Sequence, residues 1–284
     1  MSEAYLAAEC AFDPAMGRSL EAAHAWTVLK FVSSLQRHCP QVGATALSLA
    51  GGHAIYAGRS PFSFAVGVGL GSGLNLYEID LLEAFFRDHR CIPRVDVTPF
   101  THPMLVDELR RRGYRAETWT SVLFRALAKE LSPRLNEDPA VHVRWAVPTE
   151  CSAWVAIMAK GFIIGEPSLE RRASISAFFH APSSMNVMAT VQGEVAGVAG
   201  GMLPQADGIA PLFGASVLPQ FRRRGLHGQM LRLRLKAARD AGCRYAITTA
   251  TPGSDSERNL MRHGFTCAYQ KVTWGKASGR SHDA

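Results

Sequence analysis

One stretch of the chain decides the fold, Ser216-Val217-Leu218-Pro219-Gln220-Phe221-Arg222-Arg223-Arg224-Gly225-Leu226-His227-Gly228-Gln229-Met230-Leu231. An apolar strand ends at Pro219, a basic turn follows, and an amphipathic helix begins at Gly228. The first turn of a helix presents unpaired N–H groups and partial positive charge, and Gly225 and Gly228 let a ligand approach the backbone closely. The pattern predicts a site for an anionic group such as a pyrophosphate.

The alternative is a purely structural role. The three arginines would then only keep a surface loop solvated, as most charge runs do, and the glycines would only shape a turn. The chain has a second basic triplet, Arg110, Arg111 and Arg112, inside a predicted helix without a glycine-bearing strand-to-helix turn. We interpret that second triplet as a solvated helix face.

Strand-like and helix-like patterns alternate around the opening stretch. In this half of the chain we predict strands at 141–147, 185–191, 195–203, 209–217, 245–251 and 265–274, and helices at 149–162, 168–180, 228–241 and 254–263.

The other half has a similar order of elements. There we predict helices at 20–38, 77–89 and 103–112, strands at 44–50, 53–57, 63–70 and 94–98, and two further strands within 114–127. The polar segment 131–140 carries two prolines and reads as a linker. We therefore predict two domains, 1–130 and 141–274, and a disordered polar tail at 275–284.

Composition limits the possible partners. The chain has 284 residues, is 47% hydrophobic and has a formal net charge of +7, which favours anionic partners. Its six cysteines lie far apart, without the spacing of a zinc site. It lacks both a signal-peptide pattern and the roughly 20 apolar residues of a membrane span. These features predict a cytoplasmic protein with no metal and no membrane partner, and the absence of interleaved aromatic residues or a reading helix disfavours nucleic acid.

The stretch 215–235 resembles motif A of the GNAT superfamily of N-acetyltransferases, whose core is Arg or Gln, two residues, Gly, one residue, then Gly or Ala. Arg222-Arg223-Arg224-Gly225-Leu226-His227 matches except at the sixth position, where His227 replaces the small residue. The resemblance covers about 141–274 and includes the pair Gly264-Phe265. It implies an α/β (α+β) fold with a mixed, mainly antiparallel sheet flanked by helices, in two tandem copies of which the N-terminal one is degenerate.

The resemblance also implies a cosubstrate, acetyl-coenzyme A (acetyl-CoA), and no metal. Two groups of residues would bind it, the strand backbone at Ala215, Ser216 and Val217 along the pantetheine arm, and the loop residues Arg222, Arg223, Arg224, Gly225, Leu226, His227 and Gly228 around the pyrophosphate. A bulge at Gly214 would open the slot between this strand and strand 245–251. We expect His227 at the cofactor edge or facing solvent, rather than carrying a proton.

The usual catalytic residues of the family are missing. Leu260 occupies the position of the Tyr that many members use as an acid, and Pro211 that of a Glu that some use as a base. Replacement acids are Tyr269, with ordinary strand packing as the alternative, Ser256, with a helix N-cap as the alternative, and Tyr245. Two other hypotheses remain. The acetyl group could be transferred without a side-chain acid, by positioning of the reactants alone, or the domain could bind coenzyme A without turnover.

The implied function is N-acetylation of the amine of a small molecule, amino acid or peptide by a monomer or homodimer. The alternative is a non-catalytic or regulatory acyl-CoA-binding protein. In this family the loop 161–168, with Glu166, would line the acceptor side. The glycine-rich segment 67–73 lacks both the Gly-x-Gly-x-x-Gly register and any basic residue, so we expect it to be structural or to form one wall of the acceptor site.

Overall fold

The computed structural model describes residues 12–59, 61–71, 75–127, 140–162, 165–204 and 208–276. The predicted linker 131–140 lies outside the described residues except for Ala140, and the predicted tail lies outside them from residue 277 onward.

The elements follow the predicted order closely. The first half contains α1 (Pro14–His38), β1 (Thr45–Leu49), β2 (Gly52–Tyr56), β3 (Ala65–Val66), α2 (Tyr77–Asp88), β4 (Arg94–Val97), α3 (Pro103–Arg111) and β5 (Tyr114–Ala126). The second half contains β6 (Val141–Trp145), α4 (Cys151–Phe162), α5 (Leu169–His180), β7 (Val187–Val191), β8 (Glu194–Gly201), β9 (Ile209–Val217), α6 (Leu226–Asp240), β10 (Tyr245–Ala250), α7 (Asp255–Arg262) and β11 (Thr266–Lys276).

Side-chain caps set several of the helix starts. Asp13 accepts hydrogen bonds from two backbone N–H groups of the first turn of α1. Ser168 accepts from the backbone N–H of Arg171 at the start of α5, and Ser254 does the same for Glu257 in α7. Each cap satisfies an N–H group that has no acceptor within its own helix, so these boundaries are encoded locally.

The described strands form one 11-stranded sheet in the order β1-β2-β3-β4-β11-β5-β10-β9-β8-β7-β6. Its pairs are antiparallel except for β3 with β4 and β9 with β10. The last strand of the chain, β11, lies between β4 and β5 of the first half, and β5 in turn pairs with β10 of the second half. Each half therefore places its last strand beside strands of the other, and the sheet is continuous.

Two strand predictions were wrong in extent. The two strands predicted within 114–127 are one strand, β5, because it pairs with β11 along nearly its whole length and with β10 from Ser121 to Ala126. The strand predicted at 63–70 is only Ala65–Val66, because Gly67 and Gly69 adopt positive φ angles of 72° and 74° that end the extended chain.

A buried charged cluster joins α1 to β4 and β11. The ammonium group of Lys271 lies 3.0 Å from Asp96 Oδ2 and 3.5 Å from Glu21 Oε2. Burial alone would lower the pKa of Lys271, but the two carboxylates raise it above its usual value. The hydroxyl of Tyr269 donates to Glu21 Oε1 at 2.8 Å. The cluster thus fixes the central strand β11 against the first helix of the chain.

Candidate functional site

A bulge in β9 creates a slot in the sheet. Ala215 pairs with Ala199 and Phe213 pairs with Gly200, so Gly214 is the extra residue on β9, with a φ of +48°. Beyond the bulge β9 pairs only with β8, since its pairing with β10 ends at Pro211. The two parallel strands separate here, as the predicted bulge at Gly214 required.

The strand beyond the bulge presents backbone to the slot. The Ser216 hydroxyl donates to the carbonyl of Ile157 in α4 at 2.8 Å and is buried, so its side chain is already engaged. An added Cβ on Gly161 would lie 2.3 Å from Ser216 Oγ, so only glycine lets α4 pack this closely. Ala215, Ser216 and Val217 all line the slot, and an extended ligand could pair with their main chain.

The loop after β9 delivers the N-terminus of α6 to the same slot. Gly225 precedes the helix in a left-handed conformation, φ 77°, and no side chain caps the first turn. The N–H groups of Leu226, His227 and Gly228 have no acceptor within the helix and carry the positive end of its dipole. The helix begins at Leu226, two residues before the predicted start, which places all three at its N-terminus.

The arginine triplet of this loop is exposed to solvent. Arg222 and Arg223 line the cleft, and Arg224 lies beside it. Arg223 adopts a left-handed φ of +64°, a conformation that side-chain-bearing residues rarely take and that concentrates at functional loops. Arg222 Nε donates to the Val217 carbonyl at 3.3 Å. The loop thus holds fixed positive charge beside unpaired helix amides.

His227 faces the protein interior rather than solvent, contrary to one of the two roles expected for it. Asn259 Nδ2 of α7 lies 2.6 Å from His227 Nδ1, and with the amide as donor the ring accepts at Nδ1. Burial, followed by the charges of Arg234 and His263, lowers the pKa of His227 to about 4. The ring is therefore neutral at pH 7 and connects the loop to α7. No sequence pattern pointed to Asn259.

Packing against α7 also explains the glycine at 228. A Cβ on Gly228 would lie 2.9 Å from two atoms of the His263 ring, so a side chain here would push the two helices apart. The small residue that lets the start of α6 approach His263 is thus Gly228, one position after His227.

A buried arginine lies beneath the slot. Arg234 of α6 is 2% exposed, and its guanidinium donates to the carbonyls of Gly200 at 2.7 Å and Met230 at 3.2 Å. Burial lowers its pKa to about 9, and within the described ranges no carboxylate pairs with it. The sequence analysis missed this residue, although a cation among the apolar positions of an amphipathic helix was a visible signal.

Slot, loop and helices together line one cleft of about 1150 Å³. The cleft is lined by most of the predicted binding residues, Ala215, Ser216, Val217, Arg222, Arg223, Gly225, Leu226, His227 and Gly228.

The end of the cleft away from α6 is aromatic. It includes Phe178 of α5, Phe213 of β9 and Phe62 of the first half, which no sequence pattern had indicated. Gly161 and Phe162 line this end too, whereas Glu166 is exposed and paired with Arg172. Residues 67–71 do not line the cleft.

The candidate acids lie in different places. Ser256 lines the cleft, and the N-cap of α7 is Ser254, so the capping interpretation of Ser256 was wrong. Tyr269 lies outside the cleft, because β5 and β10 separate β11 from β9 and its hydroxyl is turned to Glu21. Tyr245 does not line the cleft either. Among the described lining residues there is no tyrosine and no glutamate, and Leu260 is a buried apolar part of the wall.

The described residues show neither a metal-binding cluster nor a membrane-spanning helix. They contain no group of three or more His, Cys, Asp or Glu side chains able to hold a metal ion. None of their helices combines the length and apolar character needed to cross a membrane.

Residues 152–265 match the sequence model of the Acetyltransferase (GNAT) family. The matched segment begins in α4 and ends just after α7, so it contains the bulged strand, the loop and α6. A comparison with curated proteins gives no match.

Solved structures of the same fold cover most of the chain. A GCN5-related N-acetyltransferase from Kribbella flavida has a TM-score of 0.63 at 17% identity, over 88% of this chain and 95% of its own. One from Sphaerobacter thermophilus has a TM-score of 0.60 at 16% identity, over 82% and 75%. A tandem GNAT protein from the clavulanic acid biosynthesis pathway has a TM-score of 0.59 at 12% identity, over 80% and 79%. At these identities the likeness is one of fold, and it confirms the predicted fold class.

Proposed function

We propose that the chain is an acetyl-CoA-dependent N-acetyltransferase, since residues 152–265 match the sequence model of the GNAT acetyltransferase family. The observation that carries the proposal is the alignment of three features along one cleft, the bulge at Gly214, the unpaired edge of β9 and the uncapped N-terminus of α6. Together they suit a ligand with an extended arm and an anionic end.

The residues present fit acetyl-CoA. Ala215 to Val217 would pair with the amides of the pantetheine arm, because this edge of β9 has no strand partner within the described residues. The N–H groups at 226–228, with Arg222 and Arg223, would bind the pyrophosphate. When bound, the cosubstrate supplies an activated acetyl thioester near Gly214.

In the proposed reaction an amine nitrogen attacks the thioester carbonyl, a C–N bond forms and the C–S bond breaks. The thiolate leaves, and a proton from the amine balances it. The described residues of the cleft include no tyrosine or glutamate for these proton transfers, so we propose that positioning supplies most of the rate increase and that the amine binds in its neutral form. Ser256 is the remaining candidate acid that reaches the cleft.

The lack of a tyrosine and a glutamate among the described cleft residues favours a second candidate function, binding of acyl-CoA without turnover. Leu260 and Pro211 stand where the family places its acid and base, and both are buried. A regulatory protein would retain the loop and slot while losing those side chains.

Isothermal titration separates these possibilities. We expect saturable 1:1 binding of acetyl-CoA and much weaker binding of S-acetylpantetheine, which lacks the pyrophosphate. Failure of acetyl-CoA to saturate would end both proposals. Thiol release from acetyl-CoA in the presence of a panel of amines then decides between them, since turnover of any amine contradicts the non-catalytic alternative.

A further inference from the structure

The aromatic end of the cleft, defined by Phe62, Arg171, Phe178 and Phe213, is a rigid wall with one charged member. The ring of Phe178 lies 5.2 Å from that of Phe62 and 4.8 Å from that of Phe213. Behind it, Phe31 of α1 stacks on Phe178 at 4.3 Å. Aromatic rings packed on several sides keep their orientation, so this end presents a preformed flat apolar surface.

Arg171 is the charged group at that surface. It lies in the first turn of α5, its side chain is half-buried, and burial lowers its pKa. No hydrogen bond or ion pair of its guanidinium is found within the part of the chain that the structure describes. Desolvating a cation is unfavourable unless a partner compensates it, so an anion would complete the site.

The neighbouring carboxylates are already engaged elsewhere. Glu170 accepts a hydrogen bond from the backbone N–H of Arg59 at 3.0 Å, and Glu166 pairs with Arg172 at 2.9 Å. Neither lines the cleft. Arg171 therefore faces the aromatic end while its neighbours along the helix face solvent or the first half of the chain.

The charge of the whole cleft points in the same direction. Its described lining contains six arginines and one carboxylate, Asp255, which is almost fully exposed and pairs with Arg258 at 2.6 Å. Among the described residues of the aromatic end there is no carboxylate to pair with a ligand's ammonium group. A polycationic acceptor would be repelled here, and a ligand with a negative charge would be attracted.

We propose that the aromatic end binds a carboxylate joined to a flat apolar group, with Arg171 as the carboxylate partner and the ring against Phe178 and Phe213. This inference rests on the proposed function, because it concerns the far end of the same cleft. Two sources supply that chemistry, an acceptor such as an aromatic amino acid, or the acyl group of a thioester that contains a ring and ends in a carboxylate. In both cases the amine gains the acyl group as the C–S bond breaks, and the thiolate is balanced by the proton lost from nitrogen.

The test has two binding arms, each a pair of ligands that differ in the carboxylate. In the acceptor arm, protein saturated with CoA is titrated with phenylalanine and with phenethylamine. In the donor arm, the free protein is titrated with 4-carboxyphenylacetyl-CoA and with phenylacetyl-CoA. We expect the carboxylate member to bind about 10- to 100-fold more tightly in one arm, the difference that a charge-assisted hydrogen-bond pair provides.

Three variants assign that preference. Arg171→Met should abolish it without changing the affinity for CoA itself, and Arg171→Lys should restore part of it because the charge returns without the planar fork. Arg172→Met is the matched control, since Arg172 is the next residue but pairs with exposed Glu166, and it should keep the full preference.

No carboxylate preference in either arm, or a preference that survives Arg171→Met, overturns the inference. Protein that binds CoA normally but shows no such preference contradicts this inference alone. Protein that does not bind CoA at all contradicts the proposed function.

Discussion

The string Arg-Arg-Arg-Gly occurs twice in this chain, at 110–113 and at 222–225, with opposite structural roles. The first copy ends α3, and Gly113 follows the helix with a φ of +84°. The second copy precedes α6, and Gly225 begins that helix with a φ of +77°. The glycines share a conformation, but the first string lies at the negative end of a helix dipole and the second at a positive end.

The two strings also differ in the acidic side chains that lie near their arginines. Arg111 and Arg112 each lie 2.5 Å from Glu108, and Arg112 also reaches Asp80 at 2.5 Å. Within the described residues, Arg222 and Arg223 have no carboxylate partner. The interpretation of the first triplet as a solvated face was wrong for Arg112, which is only 15% exposed because it packs between α2 and α3. Arg111 and Arg112 are thus neutralised by acids within the fold, whereas Arg222 and Arg223 line the cleft without a carboxylate partner among the described residues.

The largest expected effect comes from reversing charge in the second string. Arg223→Glu combined with Gly225→Glu should weaken acetyl-CoA binding at least about 100-fold, because two acidic groups replace a cation and an open backbone approach. Titration calorimetry measures the loss, with circular dichroism to show that the variant is folded. The matched control combines Arg111→Glu with Gly113→Glu, which makes the same charge change at the same positions of the first string, and it should leave binding within twofold. A folded double variant with normal affinity would contradict the assignment of the loop.

Removing the most buried arginine of the first string should lower stability instead. Arg112→Met leaves Glu108 and Glu83 with less compensation and should reduce the free energy of unfolding by about 2–3 kcal/mol. Urea denaturation measures the change. Arg222→Met is the control, and it should stay within about 0.5 kcal/mol because that side chain is exposed. Equal losses in both variants would remove the contrast between the strings.

The two glycines provide a smaller, symmetrical test. A Cβ on Gly113 or Gly225 would meet no atom within 4 Å, so alanine at either position brings only backbone strain, about 1 kcal/mol each. Both variants should lose similar stability in urea. Only Gly225→Ala should weaken acetyl-CoA binding, severalfold, because strain there displaces the helix amides. Weaker binding in Gly113→Ala would indicate a general loosening of the fold rather than a local site.

The last test is a pH dependence confined to the first string. Hydrogen bonds from Arg111 and Arg112 lower the pKa of Glu108 to about 2 in the folded protein, against about 4.3 in an unfolded chain. The stabilisation is therefore complete above about pH 5 and is lost as the pH falls through 4 toward 2. Urea denaturation of the wild type and Glu108→Gln should show their difference shrinking between pH 6 and pH 3. A constant difference would mean that the ion pairs contribute nothing.

Local features of the site were accessible from sequence. The bulge at Gly214, the loop at 222–225 and the helix after it depend on the conformations of adjacent residues, which glycine, proline and apolar periodicity report directly. The presence of His227 where the motif has a small residue was also visible in the sequence. The consequence of that change was not visible, because the partner of the His227 ring, Asn259, lies 32 residues away in another helix.

The sequence by itself determined the order and kind of most elements and the glycine-bearing basic turn before α6, since each follows from contiguous residues. Only the tertiary structure decided that β11 lies between β4 and β5, which carries Tyr269 away from the cleft. It also decided that Phe62 of the first half joins the aromatic end, and that Arg171 and Arg234 have no acidic partner within the described residues. Strand neighbours and charge partners depend on contacts between distant residues, and no local pattern specifies which distant residues will meet.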